Sequence, residues 1–197
     1  MVKEFTTTQK HYYTPEEYLE LEAKAEYKSE YLDGKIIPMT GGTTNHNKIA
    51  GNFYRQFPLT IVGQDYDIYI GDVRLWIPEY RHYTYPDIMI IKGETVYEGK
   101  GTTTITNPLI IMEVLSKSTQ QTYKTSKFGH YRSLPSFQEY ILVDQYSYYV
   151  EQYVKQKDEQ WLLRDYKGKE SMLALANLEF EISFLELYKR VSFTQKD

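Results

Sequence analysis

The sequence predicts an α/β (α+β) fold in which helices flank a mixed central β-sheet. Helical patterns alternate with short apolar strand patterns along much of the chain, and hairpin patterns follow nearer its end. Two strand patterns, at residues 87–91 and 108–115, are nearly continuous apolar runs, which is typical of strands buried on both faces. These observations together indicate central strands that are covered by helices.

Local patterns predict the elements of the N-terminal half in order. Thr14 followed by Pro15 and two acids predicts a capped helix that runs to about Ala25. A hairpin over residues 27–39 follows, because the Asp33-Gly34 pair is a strong turn signal between two alternating segments. We expect the next elements to be a helix over 44–57, a strand over 67–77, a loop over 78–85 and the first buried strand.

The C-terminal half begins with the second buried strand and is predicted in the same way. The expected elements are a helix over 118–134, a buried strand over 139–144, a hairpin around 157–159, and a short strand with a final helix within 173–191.

Composition favours one ordinary globular domain. The 197 residues are 41% hydrophobic and 25% charged, a balance that supports one core. We expect a single domain over 1–197, with short flexible tails at about 1–11 and 192–197. The N-terminus lacks a secretory signal pattern, and no run of about 18 apolar residues occurs, so we expect a soluble cytoplasmic protein.

The absence of cysteine excludes several kinds of chemistry. Disulfides, thiolate nucleophiles, sulfur-ligated zinc and iron–sulfur clusters all require this residue. Any metal ion must therefore be held by oxygen or imidazole ligands. Because the net charge is −4, binding of a polyanion would need a local basic face or a metal ion.

Two acids lie in or beside the buried strands. Glu113 lies inside the apolar run LIIMEVL, and Asp87 begins the other run directly after Pro86. An ionised carboxylate in a strand interior is unfavourable unless a cation or a metal ion pairs with it. If the two strands are neighbours, both carboxylates meet at one end of the sheet and suit a hard divalent cation such as Mg²⁺.

A structural explanation of the same acids competes with the metal site. Each acid alone could form a buried ion pair with Lys or Arg, or could cap backbone amides. Lys127 favours the chemical interpretation, because it lies on the predicted helix directly after the Glu113 strand and could orient a water molecule or stabilise an oxyanion. A solvated helix lysine is the competing interpretation, and Lys117 and Lys124 are rival candidates.

Short motifs in a fixed order carry a family resemblance. They are Glu30-Tyr-Leu-Asp-Gly, Asn45-His46-Asn47, Tyr85-Pro86-Asp87-Ile, Asn107-Pro108, Glu113-Val-Leu-Ser, Lys127-Phe, Tyr131-Arg132 and Glu139-Tyr140. In this order and at this spacing, the chain resembles the Uma family of putative restriction endonucleases, within the PD…(D/E)xK nuclease-like superfamily. The resemblance spans roughly residues 12–188, whereas each motif alone would be weak.

The resemblance implies a restriction-endonuclease-like core that hydrolyses phosphodiester bonds in nucleic acid, with DNA as the expected substrate. It implies Asp87 and Glu113 as ligands of Mg²⁺ or Mn²⁺, Lys127 as the catalytic lysine and Glu30 as an additional catalytic acid. Related nucleases commonly work as dimers, so a homodimer is expected.

The chain departs from the resembled pattern at two positions. In the superfamily the lysine stands two residues after the acid, where this chain has Leu115, and the family is similar in moving it to the next helix. Family members often carry Asp four residues before that lysine, where Tyr123 stands here. A supporting acid is therefore missing, while Asp87, Glu113 and Lys127 are retained.

Other polar residues have structural explanations that compete with functional ones. Without the resemblance, Glu30 would be interpreted as an exposed hairpin acid. For His46 a capping or surface position is favoured over ligand binding. Asp72 and Arg74 share a strand face, which favours a salt bridge over a phosphate contact. The tyrosine-rich residues 145–153 suit base stacking, an amphipathic hairpin or a dimer contact equally.

Two main hypotheses follow, and a weaker third. The first is a metal-dependent endonuclease. The second is a catalytically inactive nuclease-fold protein that acts as a nucleic-acid-binding or assembly module, which the acidic charge balance, the Tyr123 departure and the 21 tyrosines support. The third, hydrolysis of sugars by paired carboxylates, ranks last because the sequence supplies no distance between them.

Overall fold

The computed structural model describes residues 12–116 and 123–193. Its α-helices are α1 (Pro15–Glu22), α2 (Thr44–Gln56), α3 (Phe128–Tyr131) and α4 (Phe184–Leu187), with a π-helical turn at Tyr123–Lys127 and 3₁₀ turns at Pro78–Tyr80 and Lys157–Glu159. The strands are β1 (Ser29–Leu32), β2 (Lys35–Pro38), β3 (Thr60–Ile61), β4 (Gln64–Ile70), β5 (Arg74–Ile77), β6 (His82–Thr84), β7 (Ile88–Lys92), β8 (Thr104–Ile105), β9 (Ile110–Leu115), β10 (Glu139–Asp144), β11 (Tyr149–Lys155), β12 (Trp161–Lys167), β13 (Met172–Ala174) and β14 (Glu181–Ser183).

A seven-stranded mixed sheet is the centre of the fold. Its strand order is β12-β11-β10-β9-β7-β4-β3, with β9 and β10 parallel and the other neighbours antiparallel. A five-stranded sheet, β2-β1-β6-β5-β8, and the two-stranded β13-β14 sheet complete the described strands. The predicted mixed sheet with flanking helices is therefore confirmed. The second sheet was not predicted.

The central sheet separates two hydrophobic clusters, because successive side chains along a strand point to opposite faces. Ile88 and Met112 pack on the face that α2 and α4 cover. Met89 and Ile111 pack on the other face, together with Tyr131 from α3. All six residues of β9 are buried, which agrees with the prediction of a strand covered on both sides.

The first two predicted elements form for the reasons given by their sequence. Thr14 and Glu17 form a reciprocal capping box, which starts α1 at Pro15. Asp33 and Gly34 adopt φ values of 41° and 89° in the turn between β1 and β2, a conformation that Gly and Asp tolerate better than most residues. The predicted helix is shorter than expected, since α1 ends at Glu22.

Two predictions for the middle of the chain are wrong. Residues 67–77 form two strands in different sheets, because the chain turns at Gly71, where φ is 65°. Residues 78–85 are not one loop, since they include β6, which pairs with both β1 and β5. The pairing partners of β6 come from distant parts of the sequence, so its short local pattern does not reveal it.

The predicted helix over 118–134 is described only from residue 123, and its regular part ends at Tyr131. Residues 117–122, like the predicted tail segments 1–11 and 194–197, lie outside the described residues. Ser192 is part of the described structure, and its backbone N–H donates to Asn45 Oδ1 over 3.3 Å. The strand over 139–144 and the hairpin around 157–159 are confirmed. None of the helices in the described part of the chain is long and apolar enough to cross a bilayer.

Candidate functional site

The side chains of Asp87 and Glu113 meet at one point of the central sheet. Strands β7 and β9 are antiparallel and Ile88 lies opposite Met112, so Asp87, which directly precedes β7, lies beside Glu113 of β9. The backbone N–H of Asp87 donates to Glu113 Oε2 over 3.1 Å. The N–H of Val114 donates to Asp87 Oδ2 over 2.7 Å. The register of β7 and β9 therefore brings the two acids together, as the metal-site interpretation of the sequence required.

Glu113 is completely buried and is surrounded by polar groups of one cluster. The Tyr131 hydroxyl donates to its Oε1 over 2.8 Å, and Lys127 Nζ lies 3.9 Å from the same oxygen. Burial raises the pKa of Glu113 to about 8, with the nearby charge of Asp87 adding to the effect and the Lys127 ammonium opposing it. A carboxyl group with a raised pKa binds either a proton or an additional cation near neutral pH.

Lys127 lies inside the protein with an acid on each side. Its Nζ is 2.7 Å from Glu30 Oε1, and its side chain is only 6% exposed. Burial acts to lower the pKa of Lys127, but the charges of Glu113 and Glu30 outweigh burial and raise it. The side chain is therefore an ammonium ion at neutral pH, held at a fixed distance from Glu113.

Glu30 belongs to this cluster and is not an exposed hairpin acid. It lies on β1, its side chain is 14% exposed, and Thr84 donates to its Oε1 over 2.5 Å. Burial acts to raise the pKa of Glu30, but the Lys127 ammonium lowers it below the ordinary value. The second sheet thus supplies an ionised partner that orients Lys127.

His46 lies against Asp87, a contact that no sequence pattern indicated. It lies in the first turn of α2, and its Nε2 is 3.0 Å from Asp87 Oδ2. Burial acts to lower the pKa of His46, but the hydrogen bond and charge of Asp87 outweigh burial and raise it. In the sequence, His46 lies just inside a predicted helix start, and this position favoured a capping role. The contact depends on how α2 packs on the sheet.

A cleft of about 810 Å³ opens beside this cluster. Asp87 and His46 line it, together with Lys28, Tyr85 and Tyr146. Asp87 is 16% exposed, whereas Glu113 is fully buried and contacts Asp87 from the interior. Asp87 is therefore the acid of the pair that a molecule in the cleft would meet first.

The donor set suits a hard cation that keeps several waters. Oδ1 of Asp87 has no hydrogen-bond partner among the described residues, whereas Oδ2 accepts from the Val114 N–H and lies 3.0 Å from His46 Nε2. Two carboxylates with water are ligands that Mg²⁺ takes. Within residues 12–116 and 123–193, no group of three or more His, Asp or Glu side chains is placed to enclose a metal ion. The two carboxylates therefore offer hard oxygen donors of the kind that a divalent cation takes together with water.

The remaining candidates lie elsewhere or are not described. Lys117 lies outside the described residues, as do the side chains of Lys124 and Tyr123. Of the two residues for which a salt bridge was favoured, Asp72 forms an ion pair, with Lys28. The Arg74 guanidinium donates to hydroxyl groups of residues 103 and 104.

Three comparisons relate the chain to known proteins. The profile of a family described as "Uma2: Putative restriction endonuclease" matches residues 15–186. Two uncharacterized proteins of Synechocystis sp. (strain ATCC 27184 / PCC 6803 / Kazusa), sll1609 and slr1290, are 43% and 32% identical to it. Their alignments cover 88% and 91% of this chain and 94% and 93% of the relatives.

A solved structure has the same fold. It is the crystal structure of a putative nuclease belonging to DUF820 from Anabaena variabilis ATCC 29413, with a TM-score of 0.67 and 22% sequence identity. The match covers 89% of this chain and 97% of that one. The fold predicted from the resemblance is therefore confirmed.

Proposed function

The chain belongs to the Uma2 family, and from this membership and the geometry of its site we propose that it is a metal-dependent endonuclease that hydrolyses phosphodiester bonds in DNA. One observation carries this conclusion. Asp87 and Glu113 lie side by side at the central sheet next to an open cleft, and the Lys127 ammonium is 3.9 Å from Glu113.

Asp87 and Glu113 would hold the metal ion, which we propose to be Mg²⁺ or Mn²⁺. When bound, such an ion lowers the pKa of water and offsets the negative charge of a phosphodiester. The raised pKa of Glu113 supports this role, because its carboxylate becomes stable near neutral pH only with more positive charge nearby. Asp87 presents its oxygen to the cleft, while Glu113 completes the pair from the interior.

Lys127 is the proposed catalytic lysine. Its buried ammonium can donate to the attacking water or stabilise the negative charge that develops on the phosphate. The positive charge of Lys127 interacts strongly with a nearby negative charge, because the buried side chain is little screened by water. Glu30 would act as a positioning residue, since its carboxylate holds Lys127 Nζ at 2.7 Å while Thr84 orients the carboxylate in turn.

Cleavage of both strands of a duplex in a single encounter requires two such sites. Each chain supplies one cluster of Asp87, Glu113 and Lys127, so we propose that a homodimer acts on the duplex. A monomer with one site would nick a single strand per encounter.

The direct test is cleavage of plasmid and linear DNA by the purified protein with Mg²⁺ or Mn²⁺. We expect wild type to cleave and Asp87→Ala to lose cleavage. Glu139→Gln is the matched control, because Glu139 is another fully buried acid, on the adjacent strand β10. Equal cleavage by wild type and Asp87→Ala would overturn the proposed function. Binding of DNA without cleavage by the wild type would favour the nucleic-acid-binding module instead.

A further inference from the structure

We propose that His46 is a positioning residue that determines which oxygen of Asp87 faces the cleft. This inference rests on the proposed function, since it concerns how the candidate cation site is prepared. Its starting point is an asymmetry: Oδ2 of Asp87 accepts from the Val114 backbone N–H and lies 3.0 Å from His46 Nε2, while Oδ1 has no hydrogen-bond partner among the described residues.

Two donors on the same oxygen hold the carboxylate in one orientation. Val114 N–H is fixed because it belongs to β9, and the Asp87 backbone is fixed by its own hydrogen bond to Glu113. With only Val114 bound, the carboxylate could still rotate about its terminal bond. The second donor, His46, approaches from α2 and removes that freedom, so Oδ1 remains available to a cation.

The contact also defines the role of the imidazole. Oδ2 of a carboxylate accepts hydrogen bonds, so Nε2 of His46 carries a proton at this distance. A protonated ring nitrogen has no lone pair for a metal ion. The geometry therefore assigns His46 to orienting Asp87 rather than to binding the cation through Nε2.

His46 is itself held on the frame that carries Glu113. The N-cap Thr43 accepts from the His46 backbone N–H over 3.2 Å, and its hydroxyl donates to Oε1 of Gln145. Nε2 of Gln145 donates to the carbonyl of Leu115 at the end of β9 over 2.8 Å. The start of α2 is therefore tied to the strand that carries Glu113.

Gly42 leaves the space in which the imidazole lies. A Cβ added at Gly42 would be 2.9 Å from His46 Nδ1 and 3.2 Å from its Cγ, closer than ordinary contacts allow. Gly42 does not have a positive φ, so alanine is compatible with its backbone conformation. The strain of the substitution therefore falls on the contact with the His46 ring. Gly42→Ala is thus a way to displace the His46 ring without changing its chemistry.

The experiment is calorimetric titration of the purified full chain with Mn²⁺ in the absence of DNA. We expect His46→Ala to weaken the Mn²⁺ Kd by about 10- to 100-fold, the usual effect of losing a residue that orients a metal ligand. His46→Gln keeps an N–H donor of similar reach and is expected to recover most of the affinity. Gly42→Ala should weaken binding as His46→Ala does, and Asp87→Asn should abolish it.

Two results would overturn the positioning role while leaving the proposed function intact. One is Mn²⁺ binding by His46→Ala and by Gly42→Ala within about twofold of wild type. The other is a loss in His46→Gln as complete as that in Asp87→Asn, which would make His46 a direct ligand. No Mn²⁺ binding by wild type would instead remove the cation site itself, and both conclusions with it. Thermal unfolding of each variant tests whether the fold is retained.

Discussion

Glu113 and Glu139 are both fully buried acids on neighbouring strands of the central sheet, yet their surroundings differ. Parallel pairing sets Glu113 opposite Leu142 and Glu139 opposite Ile110, so the acids are three residues apart along the sheet. The alternation of side chains also places them on opposite faces. The comparison separates what burial does to a carboxyl group from what its neighbours do.

The partners of Glu139 are neutral donors. Gln152 Nε2 donates to its Oε1 over 2.6 Å, and Ala176 N–H and Asn177 Nδ2 each donate to its Oε2 over 3.0 Å. Burial raises the pKa of Glu139, and these hydrogen bonds oppose the increase. Every oxygen of this acid has a donor, which makes it a structural residue that joins the 174–181 loop to the sheet.

Glu113 has fewer donors and more charge around it. Among the described residues, one neutral donor reaches each oxygen, and the charged neighbours are the Lys127 ammonium and the Asp87 carboxylate beside the cleft. Burial alone therefore does not indicate function. A second acid, an ammonium ion and access to a cleft distinguish the candidate catalytic acid from the structural one.

The largest expected difference between the two acids is in DNA cleavage. We expect Glu113→Gln to slow Mg²⁺-dependent plasmid nicking by at least about 10³-fold, or about 4 kcal/mol of transition-state stabilisation, because it removes a proposed metal ligand. Glu139→Gln should stay within about threefold of wild type. Initial nicking rates at equal protein concentration measure both. A wild-type rate in Glu113→Gln would remove the proposed distinction.

The next largest effect concerns the Lys127 ammonium, which lies beside Glu113 and not beside Glu139. Lys127→Met should lower the free energy of unfolding by about 3 kcal/mol, since it leaves the ionised Glu30 carboxylate largely buried without its cation. The double variant Lys127→Met with Glu30→Gln should recover part of this loss. Urea unfolding at neutral pH without metal measures both. Unchanged stability of Lys127→Met would show that the acids do not depend on this ammonium.

A smaller effect is expected from deleting one donor at each acid. Tyr131→Phe and Asn177→Ala should each destabilise the fold by about 2 kcal/mol, because each removes a hydrogen bond to a buried carboxyl group. Only Tyr131→Phe should also reduce DNA cleavage. Urea unfolding and plasmid nicking, measured on the same samples, separate the effect on stability from the effect on cleavage. Equal loss of cleavage in Asn177→Ala would count against the assignment of Glu139 to structure alone.

The smallest expected effect is in the pH dependence of stability without metal. The pKa of Glu113 is about 8 in the folded protein and about 4.5 ordinarily, so the folded state binds more protons between these values. The free energy of unfolding therefore falls as pH rises through this window. One proton corresponds to a slope of about 1.4 kcal/mol per pH unit. In urea-unfolding measurements from pH 6 to 7, Glu113→Gln should reduce the change of the free energy of unfolding with pH. An unchanged pH dependence in this variant would exclude Glu113 as its cause.

Sequence patterns predicted the parts of the fold that local residues determine. The apolar runs of β7, β9 and β10 and the turn at Asp33-Gly34 follow from residues next to one another. The break at Gly71 and the strand β6 were missed, because their geometry depends on pairing with a second sheet whose strands come from distant segments.

The same distinction applies to the candidate site. Acids at residues 87 and 113, in or beside apolar runs, are visible in the sequence, but their adjacency depends on the β7–β9 register, which no local pattern specifies. The choice of Lys127 over other lysines came from the family resemblance. The contacts of His46 and Tyr131 require the packing of α2 and α3 on opposite faces of the sheet, so sequence alone could not assign them.

The central claim is that Asp87 and Glu113 together bind a divalent cation. A crystal of the full chain soaked in Mn²⁺ tests it most directly, because anomalous scattering identifies manganese by position and element. We predict an anomalous peak in contact with both carboxylates and none at Glu139. The absence of a peak at Asp87 and Glu113 under saturating Mn²⁺, with both acids still bonded only to protein groups, would contradict the claim.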